Sequence, residues 1–187
     1  MNIGVTGASG LIGRRLVDTA LRRGHEVTAF SRNPERVLPG CSMRPFSGEH
    51  PLDVSGCDAL VHLAAESILG LWTPAKKQRI AQSRIAGTRH VVEALRLTTP
   101  PPEVLVSASA VGCYGDGGDT EILEDAPYGT GFLANTARLW ENEAIQATHP
   151  DPTTLSTGPS ATRTVLLRTS IVLSRKGGAL PLLKNLF

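Results

Sequence analysis

Short apolar stretches alternate with longer amphipathic stretches along most of the chain. The short stretches have the length of strands, and the longer ones repeat apolar residues every three or four positions, which is typical of helices. The predicted strands cover residues 3–5, 25–30, 43–46, 58–66, 104–107 and 164–173. The predicted helices cover a segment from Leu11 to near Gly24 and residues 72–97 and 131–148, and a last helix begins at Gly177. This alternation predicts an α/β fold, a doubly wound and mainly parallel sheet in a three-layer arrangement with helices on both faces.

The first predicted strand runs directly into the glycine-rich turn Gly7-Ala8-Ser9-Gly10-Leu11-Ile12-Gly13. Gly7 would permit a sharp turn out of the strand, Gly10 would let the backbone approach a pyrophosphate, and Gly13 would let the helix pack closely on the strand. The N–H groups at the start of the helix would then face the phosphates. The residues expected to contact a dinucleotide are Gly7, Ser9, Gly10, Leu11, Ile12 and Gly13. The alternative is a tight turn in an α/β protein that binds no nucleotide.

The second predicted strand ends in Ser31-Arg32, where an NAD-binding fold usually has an acidic residue that binds the ribose 2′-hydroxyl. A carboxylate would repel a 2′-phosphate, whereas a hydroxyl and a guanidinium would bind one. Ser31 and Arg32 therefore predict NADP(H) as the cofactor. The alternative is an ordinary polar turn.

Composition narrows the class of protein. With 187 residues, of which 41% are hydrophobic, the chain is long enough for one domain with a sizeable core. Its 19 basic and 17 acidic residues give a net charge of +2, which argues against nucleic acid or an anionic membrane as a partner. No apolar run has the length of a membrane span, and the first strand begins too early for a signal peptide. The odd number of cysteines, without metal-like spacing, predicts reduced thiols in a cytoplasm.

Several motifs together resemble one protein family. The G-x-x-G-x-x-G spacing is similar to that of extended and atypical short-chain dehydrogenases/reductases. The other matching segments are L-A-A-E-S-I, the helix W-T…S-R-x-x-G-T, the loop S-A-S-A-V-G-x-Y-G-D, the helix F-L-A…W-E and R-T-S-I-V-L-S…G-G-A-L. As a set they resemble the epimerase family, a nucleoside-diphosphate-sugar-epimerase-like branch that is also labelled cell-division-inhibitor-like. The resemblance implies a Rossmann domain over residues 1–187 that binds NADP(H) and an unknown small-molecule substrate, with a C-terminal substrate-binding part missing; a homodimer is left open.

The resemblance also implies roles for individual residues. Leu63-Ala64-Ala65-Glu66 would lie beside the cofactor, where small side chains let the backbone approach its riboses. Arg84 takes the place of an asparagine that helps to organise the active site of extended members. Ser109 matches the catalytic serine, and Tyr114 is the best remaining proton donor; the alternatives are a structural serine at a strand end and a tyrosine that only closes the pocket. His62 is interpreted as a packed strand residue and not as a catalyst.

One element of the expected active site is missing. Working short-chain reductases need a tyrosine and a lysine one helical turn apart, the tyrosine as acid/base and the lysine to lower its pKa. Alignment on Trp140-Glu141 places Phe132 and Thr136 at these two positions, and Tyr128 is followed by Phe132 four residues later. Two functions therefore stay open. One is an NADP-dependent epimerase or oxidoreductase with another proton donor, and the other is a catalytically silent NADP-binding protein that acts through a partner, for example in cell division.

Overall fold

Six strands form the central sheet: β1 (Asn2–Thr6), β2 (Glu26–Ser31), β3 (Ser42–Pro45), β4 (Ala59–His62), β5 (Val104–Ala110) and β6 (Arg163–Thr169). Neighbouring strands are parallel throughout, in the order β3-β2-β1-β4-β5-β6. The computed structural model describes residues 1–148 and 162–183. The strand order reverses between β1 and β4, and this reversal is where open α/β sheets bind their ligands, at the carboxyl ends of the strands. The sheet confirms the predicted doubly wound Rossmann fold.

Helices cover both faces of the sheet, as predicted. They are α1 (Leu11–Arg22), α2 (Pro74–Leu97) and α3 (Phe132–Ile145). On one face, Val17 and Ala20 of α1 join the buried cluster that contains Val5. On the other face α2 and α3 pack side by side, and the core there includes Leu60 and Leu105 from the sheet. Burial of these apolar side chains on both faces holds the three layers together.

Local sequence signals explain where the helices begin and end. Gly24, with φ of 77°, adopts the left-handed conformation that follows many helices, and it comes just after α1. Thr73 caps α2, because its hydroxyl accepts a hydrogen bond from the Lys76 N–H at 3.2 Å. Pro74 follows at the first helical position, where its missing N–H costs nothing. The predicted helix start at Pro74 is therefore confirmed.

The carboxy-terminal part of the described chain differs from the sequence prediction. The prediction of a helix that begins at Gly177 is wrong, because β8 (Gly177–Gly178) pairs antiparallel with β7 (Leu173–Ser174), and the short helix α4 spans Leu180–Leu183. Both glycines have positive φ, at 156° and 73°, which a right-handed helix does not allow. The strand predicted to reach Leu173 ends at Thr169. The excursion predicted over 149–161 lies outside the described residues.

Strand β5 is longer than predicted and runs to Ala110, so Ser109 lies within the strand and not in the loop that follows it. Because β5 and β6 pair up to Ala110 and Thr169, these strands extend beyond the last paired residues of β1 and β4. The side chains at their ends therefore stand above the edge where β1 and β4 stop. Of the helices in the described segments, none combines the length and apolar composition needed to cross a bilayer.

Candidate functional site

The turn between β1 and α1 is shaped by glycines that admit no side chain. Gly7 has φ of 70°, and a Cβ there would lie 2.9 Å from the backbone nitrogen of Ala64. A Cβ at Gly13 would overlap the carbonyl oxygen of Gly7. Gly10 differs, because its φ of −72° suits any residue and an added Cβ would lie 3.1 Å from that oxygen, which is tight but not prohibitive. Gly7 and Gly13 are thus required by the fold, whereas the fold by itself would tolerate a small side chain at Gly10.

The amino end of α1 lies directly at this turn and has no side-chain cap. The first helical N–H groups, those of Leu11 and Ile12, have no acceptor within the described residues. Unpaired N–H groups and the positive end of the helix dipole together attract an anion. Arg14 fixes the turn from the helix, since its Nε donates to the Ser9 carbonyl at 2.8 Å. This cradle, which a Cβ would fill, fits the pyrophosphate of a dinucleotide.

A buried hydrogen-bond chain joins β1, β4 and α2 beneath the turn. The Thr6 hydroxyl accepts from the N–H groups of Leu63 at 3.1 Å and Ala64 at 3.2 Å, so it donates its own proton to Nδ1 of His62, which lies 2.7 Å away. Nε2 of His62 must then carry the ring proton and donate to the Thr88 hydroxyl at 3.1 Å. Burial lowers the pKa of His62 to about 4, so the ring is neutral. His62 is a buried strand residue, in agreement with its interpretation from the sequence.

The segment Leu63-Ala64-Ala65-Glu66, which follows β4, is held against α2 by Glu66. The Glu66 N–H donates to the Ser83 hydroxyl at 3.0 Å, and its carbonyl accepts from Nη1 of Arg84 at 3.0 Å. Its carboxylate pairs with Lys76 Nζ at 2.7 Å, and this hydrogen bond lowers the pKa of Glu66. The structure therefore brings Arg84 and the 63–66 segment together at the carboxyl edge of the sheet, beside the glycine turn.

Ser31 and Arg32 lie at the carboxyl end of β2, where the sequence placed them, but only one of them has a free side chain. The Ser31 hydroxyl donates to the Asn33 carbonyl and accepts from the Asn33 N–H, both at 3.1 Å. This is the local turn that serine often forms. Arg32 is exposed and makes no hydrogen bond within the described part of the chain. A 2′-phosphate in this position would depend on the arginine.

The two predicted catalytic hydroxyls, those of Ser109 and Tyr114, converge on one ion pair. Ser109 is 3% exposed, and its Oγ donates to Oε1 of Glu141. The Tyr114 hydroxyl accepts from Nη1 of Arg168 at 2.5 Å and donates weakly to the Glu124 carbonyl at 3.4 Å. The Ser109 hydroxyl therefore donates its hydrogen bond to a buried carboxylate, and the Tyr114 hydroxyl accepts a hydrogen bond from a guanidinium.

Glu141 and Arg168 form the centre of this cluster, and sequence reasoning did not identify them. The carboxylate of Glu141 is fully buried and accepts two hydrogen bonds from Arg168, from Nε at 2.9 Å and from Nη2 at 2.7 Å. The Tyr128 hydroxyl donates to the same carboxylate at 2.6 Å. A glutamate on the apolar side of a helix and an arginine inside an apolar strand are the signals that could have indicated the pair, because buried charges need partners.

Electrostatics fix the charge state of the Glu141–Arg168 pair. Burial by itself raises the pKa of Glu141, but hydrogen bonds from Arg168, Ser109 and Tyr128 outweigh it and hold the pKa below its usual value. The hydrogen bond to Glu141 raises the pKa of Arg168. Burial and the hydrogen bond to Glu141 raise the pKa of Tyr128, so the phenol keeps its proton.

The positions expected for a tyrosine–lysine pair hold no acid or base. The Thr136 hydroxyl donates to the Phe132 carbonyl at 2.7 Å, and Thr136 is buried. The Phe132 ring packs edge-on against Trp72 with 5.8 Å between ring centroids, and Lys77 Nζ lies 5.6 Å from the Phe132 centroid. Any proton transfer at this edge of the sheet must therefore use another group.

Relatives of known sequence cover almost all of this chain. The model of the NAD dependent epimerase/dehydratase family matches residues 3–137. The epimerase family protein YfhF of Bacillus subtilis is 34% identical over 190 residues, which are 98% of this chain and 58% of the relative. The chloroplastic epimerase family protein SDR39U1 homolog of Arabidopsis thaliana is also 34% identical, over 100% of this chain and 53% of the relative. The chain thus spans a little more than half the length of these curated relatives.

Solved structures show the same similarity. Human epimerase family protein SDR39U1 (isoform 2), crystallised with NADPH, superposes with a TM-score of 0.81 at 30% identity, covering 99% of this chain and 59% of that chain. The nucleoside-diphosphate sugar epimerase of Corynebacterium glutamicum gives a TM-score of 0.80 at 34% identity, covering 100% of this chain and 37% of the other. With its Rossmann sheet, its glycine turn and a family match over residues 3–137, the chain belongs to the NAD-dependent epimerase/dehydratase family.

Proposed function

We propose that the protein binds NADP(H) and acts as an epimerase- or oxidoreductase-like short-chain dehydrogenase/reductase on a small molecule, a nucleotide sugar or another carbonyl compound. The observation that carries the proposal is the uncapped amino end of α1 at the reversal of strand order. There Gly7 and Gly13 exclude side chains from the turn, and Gly10 presents backbone alone to a ligand. A bound dinucleotide would supply or accept the hydride.

The residues proposed to hold the cofactor all lie along the carboxyl edge of the sheet. The turn would bind the pyrophosphate through backbone N–H groups, and the segment after β4 would contact the riboses through its backbone. Arg84, which the family resemblance groups with these residues, acts on them only indirectly, because its Nη1 holds the Glu66 carbonyl at 3.0 Å. The proposed contacts are Gly7, Ser9, Gly10, Leu11, Ile12, Gly13, Ser31, Arg32, Leu63, Ala64, Ala65 and Glu66.

Arg32 supports NADP(H) over NAD(H) as the preferred cofactor, because its guanidinium is exposed beside the end of β2 and a 2′-phosphate carries negative charge. The similar human structure contains NADPH, which agrees with this preference. The relatives are almost twice as long as this chain, and we place the part that completes the substrate pocket in their additional length. The three cysteines of this chain are free, which supports a reducing compartment such as the cytoplasm.

In this proposal Ser109 orients the substrate oxygen and Tyr114 donates the proton. Arg168 positions the Tyr114 hydroxyl by a hydrogen bond of 2.5 Å. A second function, a catalytically silent NADP-binding protein that acts through a partner, is favoured by a specific observation: the hydroxyl proton of Ser109 is directed to Glu141. Turnover of NADPH with a panel of carbonyl compounds and sugar nucleotides discriminates the two functions.

Calorimetric titration of the chain with NADPH tests cofactor binding. We expect the unmodified protein to bind and Gly10→Val to lose detectable binding, because the valine side chain would occupy the space that the pyrophosphate needs. Gly87→Ala is the matched control, since a Cβ at Gly87 in α2 meets no atom within 4 Å. Circular dichroism should show both variants folded. Failure of the unmodified protein to bind either NADPH or NADH would overturn the proposal, and unchanged affinity in Gly10→Val would show that the turn is not the phosphate site.

A further inference from the structure

Three basic side chains of α2 contact Glu66 next to the proposed cofactor site, two at its carboxylate and one at its carbonyl. Lys76 Nζ lies 2.7 Å and Arg79 Nε lies 3.7 Å from Oε1 of Glu66. Arg84 contacts the same residue at its backbone, through a hydrogen bond to the Glu66 carbonyl. These four residues form what we term the Glu66 basic cluster, and its formal charge is positive because three cations share one carboxylate.

Arg84 is the member of the Glu66 basic cluster that lacks an ionic partner. In residues 1–148 and 162–183 it forms no salt bridge, and its hydrogen bonds, to the carbonyls of Glu66 and Ile80, use Nη1 alone. Nε and Nη2 therefore have no protein acceptor in these segments. The side chain is nevertheless half-buried, and burial lowers the pKa of Arg84. A desolvated guanidinium normally pairs with a carboxylate or phosphate.

The Trp140 ring, which carries a second unpaired donor, lies against Arg84. The guanidinium carbon is 5.2 Å from the centroid of the Trp140 ring, a cation–π distance. Trp140 is 5% exposed, and its indole Nε1 is buried without a hydrogen-bond partner in the described part of the chain. Buried N–H groups are almost always paired, and an orphan of this kind points to an unseen acceptor. Nε and Nη2 of Arg84 and Nε1 of Trp140 therefore all lack an acceptor among the described residues.

The position of Arg84 in the fold places it where ligands bind. Thr88, one helical turn further along α2, bonds His62, the last residue of β4. Arg84 therefore lies just beyond the carboxyl end of that strand, next to the segment 63–66. The amino end of α1, which would bind the pyrophosphate, belongs to a different helix on the opposite face of the sheet. The two regions would hold different parts of the bound molecules.

We propose that Arg84 binds an anionic group, a phosphate or a carboxylate, on the second ligand of the protein and not on the dinucleotide. This inference rests on the proposed cofactor function, because it assigns the substrate side of the same edge of the sheet. Nη1 keeps its hydrogen bond to the Glu66 carbonyl, and the N–H groups of Nε and Nη2 bind the anion. The substrate class is therefore a small molecule that carries negative charge.

The Trp140 indole offers a direct readout of this anion. The chain has two tryptophans, so Trp72→Phe leaves Trp140 as its fluorophore. With 2′,5′-ADP added to saturation, to fill the adenosine half of the cofactor site, inorganic phosphate and acetate are titrated at constant ionic strength. We expect one of these anions to change the Trp140 emission saturably. Arg84→Met should weaken that binding about 10-fold to 150-fold, as the loss of a charged hydrogen bond does.

Matched variants make the outcomes distinct. Arg79→Met removes a more exposed arginine of the same cluster, 59% exposed, and should change anion affinity much less than Arg84→Met does. Both variants should keep the affinity for 2′,5′-ADP. Anion binding that is absent, or that is equal in Arg84→Met, overturns the inference. A loss of NADPH affinity in Arg84→Met without a loss of anion binding would assign Arg84 to the nicotinamide half, which also overturns it.

Failure of the cofactor proposal is recognisable separately. If the unmodified protein does not bind 2′,5′-ADP, then the proposed binding site for the adenosine half of the cofactor is wrong. The anion titration is then carried out without nucleotide, and it still tests whether Arg84 binds the anion. Saturable binding that depends on Arg84 in that titration supports the inference, and its absence overturns it. Unfolding temperatures of all variants, measured in the same buffer, show that the proteins compared are folded.

Discussion

The Thr6 hydroxyl lies 2.7 Å from Nδ1 of His62, and through this contact the ends of the two central strands are joined. The same hydroxyl accepts the N–H groups of Leu63 and Ala64. The backbone that faces the proposed cofactor is therefore fixed by a residue of β1 that lies beneath it. A neutral His62 is required, because an Nδ1–H would meet a hydroxyl whose acceptor capacity is already used.

We predict that acid destabilises the protein through His62. The pKa of the ring is about 4 in the folded state against 6.5 in the unfolded chain, so the unfolded state binds more protons between these values. The stabilisation from His62 is complete above pH 6.5 and is lost as the pH falls towards 4, by about 3 kcal/mol in total. Urea unfolding from pH 7 to pH 5 measures the slope, which His62→Gln should reduce. The exposed His50→Gln should keep the slope of the unmodified protein, and an unchanged slope in His62→Gln would contradict the assignment.

We predict a large loss of stability in Glu141→Gln. The substitution leaves Arg168, whose side chain is 19% exposed, without a counter-ion, and breaking a buried pair in this way costs about 3–5 kcal/mol. Glu143→Gln on the same helix is the control, because its partner Arg89 is 55% exposed and such a pair contributes less than about 1 kcal/mol. Urea denaturation of both variants at pH 7 measures the difference. Equal free energies of unfolding would show that the Glu141 pair is no more important than a surface one.

We predict that NADPH binds more tightly than NADH and that Arg32 is the reason. A charge-assisted hydrogen bond to the 2′-phosphate contributes about 1.5–3 kcal/mol, which corresponds to a preference of about 10-fold to 150-fold. Arg32→Ala should remove most of this preference, whereas Arg36→Ala in the same exposed turn should keep it. Calorimetric titration with both cofactors decides the matter. Equal affinities in the unmodified protein would mean that Ser31-Arg32 is an ordinary polar turn.

We predict that Ser109→Ala and Tyr114→Phe each lower kcat about 100-fold once a substrate is available, because each removes a hydroxyl proposed to contact the reacting oxygen. The measurement must separate catalysis from folding, since both hydroxyls also bond to the Glu141–Arg168 pair. Tyr128→Phe removes a third hydroxyl from that pair and serves as the control. Full activity in both Ser109→Ala and Tyr114→Phe would make these residues part of the pocket wall.

The sequence alone determined the order of the elements and the position of the glycine turn. Apolar periodicities of two and 3.6 residues and the conformational freedom of glycine are local properties, so they can be recognised without a tertiary structure. Gly7, Gly13 and Pro74 occupy the positions that these rules predicted. The same rules failed at Gly177, where a glycine pair that could begin a helix forms a hairpin, because positive φ is invisible in the sequence.

Only the tertiary structure decided which polar groups meet. Glu141 and Arg168 are separated by 27 residues and pair because α3 packs over β5 and β6, which no local pattern specifies. That pairing directs the Ser109 hydroxyl to a carboxylate, and it is the reason that the motif by itself could not establish a catalytic serine. Arg84 likewise became a candidate anion site only when α3 placed the Trp140 ring against it. The charge and burial of a side chain depend on which elements the fold brings together. Residues that are neighbours in the sequence do not carry that information, because the contacts form between distant parts of the chain.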